Sequence, residues 1–161
     1  MSMSMPGPLP LIRDAVPADR PAIVEFNRLL AAETEHKVLD PAILDQGVAR
    51  ALAEPDRLRY WVAGLPLDNG RRLVGQTAIT REWSDWRNGW IWWIQSVYVR
   101  REARQRGIFR ALYEHIVETA RQRGVIGIRL YVEEENHAAH KTYERLGMPR
   151  SGYFVMERMP L

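Results

Sequence analysis

Val97-Tyr98-Val99-Arg100-Arg101-Glu102-Ala103-Arg104-Gln105-Arg106-Gly107-Ile108-Phe109-Arg110-Ala111-Leu112 passes from a β-branched strand pattern through a basic, glycine-bearing loop into a helix. Such a junction binds anions for a physical reason. The first N–H groups of a helix lack intrahelical acceptors, its dipole favours negative charge, and Gly107 lets a ligand approach the backbone. Five arginines, Arg100, Arg101, Arg104, Arg106 and Arg110, fall within eleven residues here. The Gly-Lys-Ser/Thr of a nucleotide P-loop and the three glycines of a dinucleotide fingerprint are both missing, so neither enzyme class is supported.

Working outward, the helix after the loop carries Ile108, Leu112, Ile116 and Ala120 as one apolar stripe and stops at Gly124. Ile126 to Val132 reads as a short buried strand. Asn136 is placed to cap a helix with Ala139, Tyr143 and Leu146 on one face, ended by Gly147. A last strand is expected at Tyr153 to Arg158. Upstream, Trp90 to Val99 and Arg72 to Trp83 read as long strands joined at Trp86-Arg87-Asn88-Gly89, and Asn-Gly is a strong hairpin signal because both residues tolerate positive φ. Leu58 to Ala63 is a further strand, separated from its successor by turn signals over Gly64 to Gly70. Leu9 to Arg13 is a short strand, Pro17 to Leu30 a helix with Ile23, Phe26, Leu29 and Leu30 at helical spacing, and Pro41 to Ala53 another. Antiparallel strands followed by a β-α-β-α-β order predict a mixed α/β (α+β) fold around one sheet.

At 161 residues the chain is long enough for one domain, expected over residues 9–161, with a floppy lead-in over 1–8. It has no cysteine, which excludes disulfide frameworks, thiolate nucleophiles and cysteine zinc sites. No apolar run approaches the roughly 18 residues of a membrane span, and Met1 to Pro10 lacks the basic and apolar regions of a signal peptide. A cytoplasmic protein is the expectation. The net charge is only +3 although 21 of the 23 cations are arginine, so a general polyanion-binding role is not indicated. His137 and His140, following Glu133 to Glu135, have loose spacing and no evident third ligand, so no metal is expected.

The loop and the segments around it resemble the GCN5-related N-acetyltransferase (GNAT) superfamily. Its pyrophosphate motif, Arg/Gln-x-x-Gly-x-Gly/Ala, falls on Arg104, Gly107 and Phe109, the last being a large residue where relatives carry a small one. Leu130-Tyr131-Val132 followed by Asn136, Ala139, Tyr143, Leu146 and Gly147 matches the family's later strand and helix. The resemblance spans roughly Trp90 to Met148. It implies a splayed mixed sheet of about six to seven strands flanked by about four helices, with acetyl-coenzyme A as acetyl donor lying where the sheet parts. It also implies that Val97, Tyr98 and Val99 meet the pantetheine arm, mainly through main-chain groups of the two valines. Arg104, Gln105, Arg106, Gly107, Ile108, Phe109 and Arg110 would cradle the pyrophosphate, and Asn136, Ala139 and Tyr143 would hold the cofactor from the other side.

The implied chemistry is attack by a neutral amine on the thioester in a ternary complex, with Tyr143 as the proton donor to the departing thiolate, a role suited to a phenol protonated at neutral pH. A backbone N–H near Val97 would polarise the carbonyl. Many relatives place their base on the strand like Trp90 to Val99, where this chain has the neutral Gln95 and Ser96. Glu33, Glu35, Glu82 and Asp85 are the candidate replacements. For the acceptor, a primary amine of a small molecule, amino acid derivative or peptide, the candidates are Trp83, Trp86, Trp93, Gln95 and Glu35, with Trp90 and Trp92 completing a possible aromatic wall. The competing classes are an acyl-coenzyme A sensor without turnover and a module holding single-stranded nucleic acid on its arginines and tryptophans. Homodimers are common among the proteins the chain resembles, so a homodimer is a candidate assembly for which the tryptophan-rich hairpin could supply an interface.

Overall fold

Val74 to Ile79 is six consecutive buried residues in the middle of a fifteen-residue strand, which requires that both faces of the sheet be covered there. The computed structural model describes residues 8–161. The chain forms a first unit running to Tyr131 and a second from Val132 to Leu161. The expected lead-in lies outside the described residues except for Pro8, which is exposed.

The first unit contains β1 (Leu11–Asp14), α1 (Arg20–Glu35), α2 (Pro41–Ala53), β2 (Arg59–Leu67), β3 (Gly70–Ser84), β4 (Gly89–Val99), α3 (Ile108–Gln122) and β5 (Gly127–Leu130). The strands lie in chain order, antiparallel from β1 to β4, with β5 parallel to β4 through the α3 crossover. Alternation along β2 divides the core. Tyr60 and Val62 pack with Ile23, Val48, Ala51 and Ala78 under α1 and α2. Ala63 joins Val74, Val99, Ala103, Ile108 and Leu112 under α3, where Trp61 stacks edge-on against His115. The predicted stripe of α3 is the buried one: Ile108, Leu112, Ile116 and Ala120 are all at most 4% exposed.

Several element bounds differ from expectation. α1 starts after a 3-10 turn at Pro17–Asp19 and continues past Leu30, because Ala31 to Glu35 contains no breaker, until His36 turns left-handed at φ 53°. Gly64 to Gly70 is not a turn: β2 runs on to Leu67 and only Asp68 and Asn69 are left outside the strands. A bulge between Ala63 and Gly64 absorbs the irregularity, and Pro66 lies beyond the last residue paired to β1, where its missing N–H is tolerated. In the β3 to β4 hairpin only Asn88 has positive φ, 47°, while Gly89 already pairs with Ser84. The described sheet has five strands and not six or seven. β5 is only half-buried, and Tyr153 to Arg158 forms no strand: a β-prone segment becomes a strand only when a neighbouring ladder takes its N–H and C=O groups, and none pairs with it among the described residues.

The second unit is built on α4 (His137–Arg145), capped by Asn136, whose side chain accepts from the Ala139 N–H at 3.1 Å, and closed by Gly147 at φ 83°. No residue of α4 is buried within the described structure. Among the described residues no helix is long and apolar enough to cross a membrane.

Two substitutions test the packing. Leu112→Ala is expected to lower stability by about 2–5 kcal/mol in urea unfolding, since the side chain is fully enclosed. Gly75→Ala is expected to cost about 1–3 kcal/mol, because a Cβ at Gly75 would stand 2.7 Å from the Tyr98 carbonyl oxygen, a backbone atom that cannot swing aside. Asp19 supplies a pH test. It is buried and accepts from Arg13 Nη1 and Nη2 at 2.7 and 2.9 Å and from the Val16 N–H at 2.8 Å, and the Arg13 hydrogen bonds hold its carboxyl below the usual range. A depressed carboxyl stabilises the fold above its unfolded value and loses that contribution as pH falls through its folded one. Asp19→Asn is therefore expected to be about 1–3 kcal/mol less stable at pH 7, with the gap to wild type closing in acid below pH ~4.

Candidate functional site

β4 pairs with β5 over only four residues, Ile91 to Ile94, and then continues to Val99 against β3 alone. The register between β3 and β4 slips at the same place: Ile79 faces Ile94 and Ala78 faces Ser96, so Gln95 is the extra residue of a bulge. The Arg100 N–H donates to Val74 O at 2.7 Å, fixing the alternation of the ladder beyond the bulge. Arg100, Tyr98 and Ser96 turn their backbone groups toward β3, and Val97 and Val99 turn theirs to the side that β5 has left. Among the described residues no strand pairs with β4 on that side after Ile94. The open edge takes hydrogen bonds of another kind, shown by Val99 O, which accepts from Arg104 Nε at 3.0 Å.

The open edge leads into the arginine loop. A 3-10 turn at Arg101–Ala103 anchors on buried Ala103, and the chain is left-handed at Gln105 (φ 62°) and Gly107 (φ 74°) before α3 begins. Gly107 is the N-cap, so no side chain caps the first turn of α3. Such an end retains its N–H groups and positive dipole for an anion. Phe109 is half-buried against the cluster of Val74, Val99, Ile108 and Leu112, which accommodates a large residue at the normally small position.

The arginines do not act together. Arg104 also donates through Nη2 to Glu33 and stands 5.6 Å over the Tyr98 ring; Arg100 donates to Leu73 O and covers Phe26; Arg110 pairs with Glu114 one turn along α3. Arg106 is exposed and pairs with no carboxylate among the described residues.

Glu33 lies at the centre of a charged knot, accepting from Arg104 and, at 3.2 Å, from the Tyr98 hydroxyl, with Arg101 3.9 Å away. The Arg104 hydrogen bond holds its carboxyl below the usual range, while burial and the Glu33 charge raise the Tyr98 phenol. Tyr98 accordingly faces α1, its ring 5.5 Å from Phe26. Glu82 accepts from Trp93 Nε1 and lies 3.5 Å from Arg129, whose guanidinium covers the Trp93 ring. Asp85 accepts from the Trp86 N–H within the hairpin turn.

A cavity of about 500 Å³ opens between α1, α2 and the sheet and reaches the bulge at Gln95 and Ser96. Glu35 lines it, and Gln95 donates to Thr80 Oγ1 at 2.7 Å. A chain of neutral polar groups missed in the sequence runs along its wall, with Asn27, Tyr60 and Ser96 lining it and Gln76 behind them. Asn27 donates to the Tyr60 hydroxyl at 3.1 Å, and Gln76, fully buried, donates to Asn27 at 3.0 Å and to Ser96 Oγ at 3.4 Å, while its own Oε1 has no partner among the described residues. The available signal was Asn27 inside an apolar helix stripe and Gln76 inside a buried strand.

The tryptophans form no common wall. Trp92 is buried against Trp61, Trp93 stacks on Tyr131 at 4.7 Å, and Trp83 and Trp90 pack edge to face near the hairpin tip, where Trp86 is 89% exposed. In the second unit, Asn136 caps α4, and Ala139 and Tyr143 are half-buried on it. His137 and His140 stand 6.3 Å apart, and no group of three metal-ligand side chains gathers among the described residues.

Comparison with known proteins accords with this geometry. The model of the Acetyltransferase (GNAT) family matches residues 23–148. No curated protein matches the chain. A solved structure of a possible acetyltransferase from Clostridium difficile 630 is 42% identical, with a TM-score of 0.86 over 95% of this chain and 99% of that one. The fold alone is shared with a ribosomal-protein-alanine N-acetyltransferase from Brucella melitensis biovar Abortus 2308, at 16% identity and a TM-score of 0.71 over 93% of this chain and 99% of the other. With the family model spanning most of its length and a splayed sheet feeding an uncapped helix, the chain belongs to the GNAT family of acetyltransferases.

Proposed function

We propose that the chain transfers the acetyl group of acetyl-coenzyme A to a primary amine of a small molecule, amino acid derivative or peptide, by direct attack in a ternary complex. The observation that carries this reading is the coincidence at Gln95: the bulge, the end of the β4 to β5 pairing and the floor of the cavity meet at one residue. The residues present fit the cofactor. Val97 and Val99 would hold its amide arm by strand-like hydrogen bonds, and the uncapped start of α3, with Arg106 beside it, would hold its pyrophosphate. When bound, acetyl-coenzyme A supplies the thioester carbonyl that the amine attacks.

The protein's own groups divide the remaining work. The Val97 N–H polarises the carbonyl oxygen. Tyr143, on the motif that resembles the family's later helix, gives its proton to the departing sulfur. Among the four carboxylates considered as base, Glu33 is committed to Arg104, Glu82 to Trp93 and Arg129, and Asp85 to the hairpin turn. Glu35 is also ion-paired, to Lys37 at 2.7 Å, but it is the one of the four that lines the cavity, and it takes the proton of the incoming ammonium through water.

The test is thiol release from acetyl-coenzyme A against a panel of amines, with calorimetric binding of the cofactor. Amine-dependent release is expected; binding without release from any amine or peptide would leave a sensor, and absence of binding would overturn the reading. Tyr143→Phe is expected to lower kcat by about 100-fold with cofactor affinity kept, and unchanged turnover would remove Tyr143 from the mechanism. Glu35→Gln is expected to lower kcat/KM by about 100-fold with cofactor affinity kept, and an unchanged kcat/KM would remove Glu35 as the base.

A further inference from the structure

Gly47 sits in the middle of α2, where a glycine weakens a helix relative to alanine. Neither conformation nor packing asks for it. It is not among the positive-φ glycines, and a Cβ built on it meets no atom within 4 Å. Gly47 lines the cavity, so a side chain there would stand at the cavity wall with room to extend.

The composition of that cavity is equally specific. Its walls are Leu30, Leu39, Leu44, Val48 and Leu58, and toward the bulge its polar groups, including Tyr60 and Ser96, are neutral. Its two charged members, Glu35 and Lys37, lie 2.7 Å apart and offset each other. A second cationic centre on the acceptor would be desolvated against leucines with no carboxylate of its own, whereas methylenes or a ring would be stabilised by burial.

We infer that Gly47 sets the size of the acceptor cavity and that the amine admitted there carries one cationic centre and an apolar body. The inference rests on the acceptor reading above. It assigns Gly47 a specificity role with no part in the chemical step.

The experiment uses the full chain, wild type and Gly47→Ala and Gly47→Leu, with saturating acetyl-coenzyme A and the acceptors ethylamine, hexylamine, 2-phenylethylamine and 1,6-diaminohexane. In Gly47→Leu the ratio of kcat/KM for hexylamine over ethylamine is expected to fall by about tenfold or more, with Gly47→Ala between the two. The melting temperature is expected to hold or rise, and cofactor affinity to stay the same. An unchanged ratio, or an equal fall for both amines, overturns the size role. In wild type, hexylamine is expected to exceed 1,6-diaminohexane in kcat/KM by about tenfold, and a diamine turned over equally well or better overturns the assigned class. Turnover of any of these amines by wild type keeps the transferase reading whatever the ratios do. Cofactor binding with no turnover of any of them overturns the inference.

Discussion

β4 stays paired to β3 from Gly89 to Val99, interrupted only by the bulge at Gln95, but gives up β5 after Ile94. Every other feature of the site depends on that asymmetry. A strand interior to a sheet has no free backbone groups, and a strand at an edge offers them to any extended partner. Here one strand is interior at its start and an edge at its end, so Val97 and Val99 present donors and acceptors inside the fold. The bulge at Gln95 marks the change and shifts the phase of the side chains. Trp92 faces the α3 side before it and Val99 faces that side after it, seven residues on, while Tyr98 turns to α1.

Charge in this region is arranged for order more than for attraction. Four of the five clustered arginines are bonded or lie near partners within the chain, and Glu33 gathers Arg104 and Tyr98 at the end of α1. Arg104 thereby links three elements: the last carbonyl of β4, the loop it stands in, and α1. The proposed anion site draws on the backbone, on the left-handed turn at Gly107 and the uncapped first turn of α3, with Arg106 as the exposed cation beside them.

Much of the architecture was legible because it follows from local rules. The α3 stripe, the Asn136 cap, the glycine stops at 124 and 147 and the bounds of α2 each depend on a few neighbouring residues, and each stands as read. The misreadings share a cause. Gly64 and Pro66 look like a turn until the ladder shows that a bulge and an uncovered edge accommodate them, and Tyr153 to Arg158 looks like a strand until it is found without a pairing partner among the described residues. Strand formation is a property of pairs, and a single segment does not carry it.

The sequence by itself determined the order of elements from β1 to α4, the strand-loop-helix junction at Gly107 and the family. All three are written in residues close together along the chain, where backbone sterics, capping and helical periodicity act. Only the tertiary structure decided which carboxylates are committed to arginines, that five tryptophans divide among separate faces, and that Gly47, Tyr60, Gln95 and Ser96 meet at one cavity. Those outcomes depend on contacts between residues tens of positions apart, set by strand register and helix packing, and a one-residue slip of register would have redistributed them all.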